Sequence, residues 1–322
     1  MGRLILTSAA LVVLAFQTTT VAFQPRGRLQ MIWGGQRTKK PVAIGGPVNE
    51  PKPFSVRPDK FLDVATASTV SLLRAGSGAF VQGYKVALVD TDQVEAGEYT
   101  FVSSGGKRSK ETSATFIARP KQPIILYEFQ GCPFCAKVRE VVSILDLDVL
   151  FYPCPRDSKV FRPEAISRGG KSQFPYMVDP NTKVEMYESA DIIQYLVDTY
   201  GTGETPSGLG AGTANVVKIS LALLPRFGKG SRVISGGSKV PSKPLIYWGY
   251  EASPFCRLVK EKLNELELPH VQKSCARGSA KRKELQARAG KFLVPFIEDP
   301  NTGVSMYESA EIMEYLEKTY AA

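Results

Sequence analysis

Hydrophobic positions in the second half of this chain recur twice in one order. Ile124–Tyr127 is a short, continuously apolar run, as a strand buried on both faces reads. Pro133 then opens a segment in which Val138, Val141, Val142 and Leu145 share one face at helical spacing. Asp148–Tyr152 predicts a second strand, and Val160–Arg168 a second helix. Tyr176–Asp179 and Lys183–Met186 read as a hairpin turning at Pro180-Asn181. Ser189–Tyr200 closes the unit as a helix with Ile193, Leu196, Val197 and Tyr200 on one side. The same punctuation returns 121 residues on, with a strand at Leu245–Trp248 and a helix lined by Val259, Leu263 and Leu266. A hairpin of Phe296–Asp299 and Gly303–Met306 follows, and Tyr307-Glu308-Ser309-Ala310 answers Tyr187-Glu188-Ser189-Ala190. The pattern is that of a duplicated α/β unit, over 122–200 and 244–322, each a mixed sheet covered by helices.

Outside the repeats the pattern is weaker. Phe61–Leu73 predicts a helix with Phe61, Val64, Ala65, Ser68 and Leu72 on a common side. Tyr99–Ser103 and Ala114–Ala118 read as strands about the Gly105-Gly106-Lys107-Arg108 turn. No catalytic spacing stands out in 56–121, so this accessory region reads as packing support, with a membrane-surface element as the other option. The linker 201–243 begins rich in Gly, Thr and Ser; Asn215–Leu224 then reads as an apolar helix too short to span a bilayer. It suits either covering one repeat or lying on a membrane surface. At the start of the chain, Arg3 precedes the apolar stretch Leu4–Phe16, the shape of a cleaved signal peptide over 1–22.

Charge sharpens the division. The net charge is +10, yet residues 1–55 hold seven Lys/Arg against one acidic residue and 201–243 carries +5, leaving the repeats together slightly acidic. Basicity thus belongs to the leader and linker and makes no case for nucleic acid. The linker's field favours an anionic lipid head group or an acidic partner, so peripheral membrane contact is an open expectation.

The candidate chemistry lies in Cys132-Pro-Phe-Cys135, set between a predicted strand and an amphipathic helix. A cysteine just before a helix faces unsatisfied backbone N–H groups and the positive end of the peptide dipoles, which favour thiolate. Cys132 is therefore the candidate nucleophile, and Cys135, one turn later, the thiol able to resolve a mixed disulfide. Lys137 and Arg139 either add positive potential or point into water. Cys154 and Cys275 occupy matching places in the repeats and read as buried small hydrophobes. With His270 the only histidine, no zinc set is expected. In the second repeat the corner reads Ser253-Pro-Phe-Cys256, and a serine cannot enter a mixed disulfide.

The run CPFC-x-K-V-R at Cys132–Arg139, the pair Phe174-Pro175 and the pair Glu188-Ser189 resemble the glutaredoxin and glutathione-transferase amino-terminal branch of the thioredoxin superfamily. The resemblance covers both repeats and implies two tandem thioredoxin-like domains, each a four-stranded mixed sheet with flanking helices. It implies glutathione as a co-substrate that is not tightly held. Pro175 would be cis, Phe174 would pair through its backbone with the cysteinyl part of glutathione, and Glu188 and Ser189 would receive its γ-glutamyl end. Ser189 would also cap the last helix. Val294-Pro295 and Glu308-Ser309 extend the same surface to the second repeat, where Ser253 either caps its helix or meets a glutathione thiolate and Cys256 has no local partner. The chain as a whole is most similar to tandem-module proteins of plant and algal plastids.

The leading expectation is a glutathione-linked thiol–disulfide oxidoreductase acting on protein disulfides or glutathionyl adducts. Its rivals are a non-catalytic plastid scaffold, a glutathione transferase, and an isomerase like the membrane-associated prostaglandin E synthase type 2. A glutathione-ligated iron–sulfur cluster is permitted but not predicted. Val21-Ala22-Phe23-Gln24-Pro25 resembles the signal–transit junction of algae with secondary plastids, such as diatoms. That implies a transit peptide over 23–55 and a chloroplast protein, stromal or thylakoid-associated; ordinary secretion and an uncleaved anchor are the alternatives.

Overall fold

The computed structural model describes residues 45–52, 55–94, 100–113 and 119–322. The signal peptide, the signal–transit junction and the expected strand Ala114–Ala118 lie outside the described residues. The accessory region contains α1 (Phe61–Leu73), β1 (Lys85–Asp90), β2 (Ser103–Ser104) and β3 (Lys107–Thr112). The first repeat runs β4 (Ile124–Glu128), α2 (Pro133–Ile144), β5 (Asp148–Pro153), α3 (Phe161–Gly169), β6 (Tyr176–Asp179), β7 (Val184–Met186), α4 (Ser189–Tyr200). The linker contributes α5 (Thr213–Leu223) and a single 3-10 turn, Leu224–Arg226. The second repeat runs β8 (Leu245–Gly249), α6 (Pro254–Glu265), β9 (His270–Ser274), α7 (Lys281–Ala289), β10 (Phe296–Glu298), β11 (Ser305–Tyr307), α8 (Ser309–Tyr320).

In each repeat the first strand is central. β4 pairs in parallel with β5 and antiparallel with β6, which continues to β7; β8, β9, β10 and β11 repeat the arrangement. Every residue of β4 is buried, as its unbroken apolar run requires of a strand covered on both faces. One face packs under α2 and α4 through Val138, Val141, Ile193 and Leu196; the other carries Tyr127, Tyr152, Phe161 and Tyr176 beside α3.

The two sheets are not separate, contrary to the expectation of two independent four-stranded sheets. β5 and β9 pair antiparallel, giving one eight-stranded sheet in the order β11-β10-β8-β9-β5-β4-β6-β7. Each of these strands would otherwise be an edge with a row of unpaired backbone groups, and the seam satisfies both rows. Leu150 faces Val271, its own counterpart 121 positions on, so a local two-fold axis passes through that pair. Side chains follow the same axis. The Glu251 N–H donates to Ser143 Oγ at 3.2 Å, and the Gln130 N–H donates to Asn264 Oδ1 at 3.1 Å.

The accessory region clamps this pseudo-dimer. α1 forms as expected but turns Ala67, Val70 and Ser71 inward, leaving Phe61, Ala65 and Leu72 exposed. Small side chains let it lie close on the second repeat, where Ser71 Oγ donates to the Ala252 carbonyl at 2.8 Å. Arg74 then forks onto Glu140 of α2 at 2.8 and 2.7 Å. Its sheet is an antiparallel β1-β3-β2 meander, with Gly105 and Gly106 (φ 58° and 74°) forming the β2–β3 turn. The strand expected at Tyr99–Ser103 falls instead at Ser103–Ser104, and Lys107 and Arg108 belong to β3 rather than to the turn. From the linker, Arg226 forks onto Glu261, the counterpart of Glu140, at 2.9 and 2.5 Å. Among the described residues no helix is long and apolar enough to cross a membrane.

Candidate functional site

Cys132 caps α2. Its φ/ψ of −85°/122° are extended, Pro133 starts the helix, and the Cys135 backbone N–H donates to Cys132 Sγ at 3.3 Å. The thiol is 5% exposed. Burial opposes its ionisation, but the Cys135 thiol and backbone N–H both donate to it and the Arg139 guanidinium adds positive potential. The net effect holds Cys132 below the ordinary thiol range. Cys135 lies deeper, and burial together with its role as donor to Cys132 pushes its own thiol well up. Arg139 is wholly buried, pairing with Glu128 and, at 3.0 Å, with Glu251 of the second repeat. Lys137 reaches the Gly210 carbonyl at 3.2 Å instead. A Cβ at Gly131 would sit 1.8 Å from Ser231 Oγ of the linker, so any larger residue there requires the Ser231 hydroxyl to turn aside.

The Phe174-Pro175 bond is cis, and the Phe174 carbonyl lies 3.9 Å from Cys132 Sγ. Gln173, one residue earlier, donates its amide to the exposed Glu188 carboxylate, tying that pair to the same end of the sheet. Glu188 holds the cap position of α4 at φ 63°, and Ser189 is its first helical residue, buried. The cap expected of Ser189 thus falls one residue earlier, and no side chain caps the helix.

The second repeat keeps this scaffold but closes it. Val294-Pro295 is cis, and Glu308 takes φ 73° ahead of Ser309. Ser253 caps α6, accepting from the Cys256 N–H at 3.3 Å, and both side chains are fully buried. Burial pushes the Cys256 thiol up, and pushes Cys154 and Cys275 up further. All five cysteines are unbridged. Residues 45–52 lie over the surface where a glutathione site would be. The Lys52 N–H donates to Glu308 Oε1 at 2.6 Å, and Asn49 brackets Tyr307 by accepting from its N–H (2.8 Å) and donating to its carbonyl (2.9 Å). The Val48 N–H adds a bond to Ser305 O at 2.8 Å. In the first repeat, the matching strand β7 is open, with Glu185 exposed at its middle.

Beside Cys132 opens a cavity of about 540 Å³, lined by Gln130, Gly131 and Pro133, by Leu223, Leu224 and Phe227 of the linker, and by Arg257 of α6. None of its residues beyond the cysteine corner was legible as functional, because the cavity joins segments about 90 to 130 positions apart. No group of three His, Cys, Asp or Glu that could hold a metal occurs among the described residues.

A family model described as the glutathione S-transferase N-terminal domain matches residues 126–206 and again residues 248–322. The chain therefore contains a glutathione S-transferase N-terminal-like domain, with the thioredoxin-superfamily fold, and the two matched stretches coincide with the halves of the eight-stranded sheet. No curated protein and no solved structure matches the chain.

Proposed function

We propose that the chain is a glutathione-dependent thiol transferase in which Cys132 is the reacting thiolate and the second repeat is its structural partner. The carrying observation is the Cys132 corner, where a thiol held below its ordinary range by the Cys135 donors and Arg139 faces the Phe174 carbonyl at 3.9 Å. Glutathione would lie along the Phe174 backbone with its γ-glutamyl end toward Glu188 and Ser189. The thiolate attacks the glutathionyl sulfur of a mixed disulfide R–S–SG; the Cys132–SG bond forms, the S–S bond of the mixed disulfide breaks, and R–S⁻ leaves and takes a proton from solvent. A second glutathione thiolate then attacks the Cys132-bound sulfur, releasing glutathione disulfide and restoring the Cys132 thiolate. Cys135 serves chiefly as a hydrogen-bond donor, since its burial and raised pKa disfavour it as an attacking thiolate. The low exposure of Cys132, 5%, supports small substrates over the disulfides of folded proteins.

A second reading is conjugation of glutathione to an electrophile. It draws on the transferase-domain match, which supports a transferase more directly than it supports protein-disulfide reduction, and on the cavity beside Cys132, lined in part by the linker. The test compares wild-type and Cys132→Ser chains in glutathione-coupled reduction of hydroxyethyl disulfide and in conjugation of 1-chloro-2,4-dinitrobenzene. Disulfide reduction should fall by about three orders of magnitude in the variant. Reduction that survives intact sinks the thiolate assignment, and conjugation alone surviving selects the second reading.

A further inference from the structure

Two side chains lining the cavity are buried with polar atoms that nothing among the described residues satisfies. Arg257 is 4% exposed; its Nη2 donates to Glu251 at 3.3 Å, but its Nε and Nη1 find no acceptor among the described residues. Gln130 is 1% exposed, and neither its amide nitrogen nor its amide oxygen has a partner. Buried donors without acceptors are costly, and an arginine most of all. The local charges do not balance either. Arg139, Arg257 and Lys260 share Glu128 and Glu251, three cations against two carboxylates, and Glu251 divides itself between Arg139 and Arg257. The other charges of the cavity are committed elsewhere: Arg226 to Glu261 and Asp63, and Lys229 to Asp63.

The duplication does not account for Arg257. Its counterpart 121 residues earlier is Ala136, so the guanidinium belongs to this side of the pseudo-dimer alone. The cavity is also lined by Leu223, Leu224 and Phe227, the last 90% exposed. Gly131 and Pro133, which flank Cys132, form a further part of the wall. We propose that this cavity binds a small organic carboxylate with an apolar body, Arg257 and Gln130 turning their enclosed polar atoms toward the carboxylate and the linker's apolar side chains receiving the body. The binding claim stands on the cavity alone; that the bound acid is the acceptor substrate rests on the Cys132 reading.

The test is calorimetric titration of the full chain with 4-phenylbutyrate and, separately, 4-phenylbutanol, repeated in a Cys132→Ser background. The acid should bind at least about tenfold more tightly than the alcohol, the scale expected for charge-assisted hydrogen bonds. It should do so equally well without the Cys132 thiol, which separates binding from catalysis. Arg257→Gln should remove the preference for the acid. Because Arg257 also holds Glu251, Phe227→Asp provides a variant that leaves the buried pairs untouched; both probes lose the Phe227 contact, and the added carboxylate should weaken the acid about tenfold more than the alcohol. Equal binding of acid and alcohol, or an acid preference that survives either substitution, overturns the proposal.

Discussion

At the scale of single residues, Cys132 and Cys135 share one environment but are driven in opposite directions. The same contact, Cys135 donating to Cys132, lowers one thiol and raises the other. Cys135→Ala keeps the backbone N–H but removes the thiol donor, so the Cys132 thiolate should become less populated at neutral pH. Its alkylation by iodoacetamide at pH 7 should slow about three- to tenfold. The other cysteines do not confuse the readout, because burial raises all of them. An unchanged rate would mean that the helix terminus and Arg139 suffice without Cys135. The sequence disclosed this corner because its parts are neighbours: cysteine, proline and helix start lie within four residues. Phe174-Pro175 and Glu188 came only through family resemblance. Arg257 and Gln130 were illegible, since a lone arginine in an amphipathic helix reads as solvated until fold partners enclose it.

At the scale of elements, two copies of one edge strand have had different fates. β7 is open and carries Glu185 and the adjacent Lys183, charges that discourage further pairing. β11 is buried throughout, because residues 45–52 run beside it and Lys52 pairs with Glu311 at 2.6 Å. The retained Val294-Pro295 and Glu308-Ser309 had suggested a second glutathione surface; the strap is what closes it. Asn49→Ala removes both bonds to Tyr307, a loss of about 1–3 kcal/mol. Amide exchange should then accelerate at Tyr307 and Val48, while Cys132 reactivity stays the same. Protection that persists would mean the charged contacts hold the strap without Asn49. Helices and hairpins of the repeats were readable from spacing, but the face of α1 was not. Its larger side chains face outward, and only the close approach to the second repeat selects Ala67, Val70 and Ser71.

At the scale of the molecule, the seam between β5 and β9 decides whether the halves behave as one body. β9 reads His-Val-Gln-Lys-Ser, too polar to predict as a buried strand, yet all five residues are buried. Its polar groups are held individually: Lys273 by Asp148 at 3.2 Å, Gln272 by Ser274 at 3.0 Å, His270 by the Leu268 carbonyl at 2.9 Å. That carbonyl can only accept, so Nδ1 carries the proton, and the ring stacks on Phe151 across the seam with its Nε2 unpartnered among the described residues. Burial, with Lys260 adding to it, lowers the His270 pKa to about 3. The unfolded chain, whose histidine titrates near 6.5, therefore binds a proton that the folded chain refuses. The stabilisation is whole above about pH 6.5 and drains as the pH falls toward 3, by up to about 4 kcal/mol. Raised carboxylates such as Glu261 and Asp146 work in the opposite direction over part of that range, so the contrast must be read between variants. His270→Phe keeps the aromatic contact and removes the titration. Urea unfolding of the two chains should give stabilities that converge as the pH falls from 6.5 to 4 if wild type starts ahead, or diverge if it does not, wild type losing ground in either case. Because the seam is shared, both halves should unfold in the same transition, followed by Trp248 fluorescence for one half and by alkylation of the buried Cys154 for the other. Parallel pH profiles, or two separate transitions, would mean that the sheet is continuous in geometry but not in energy.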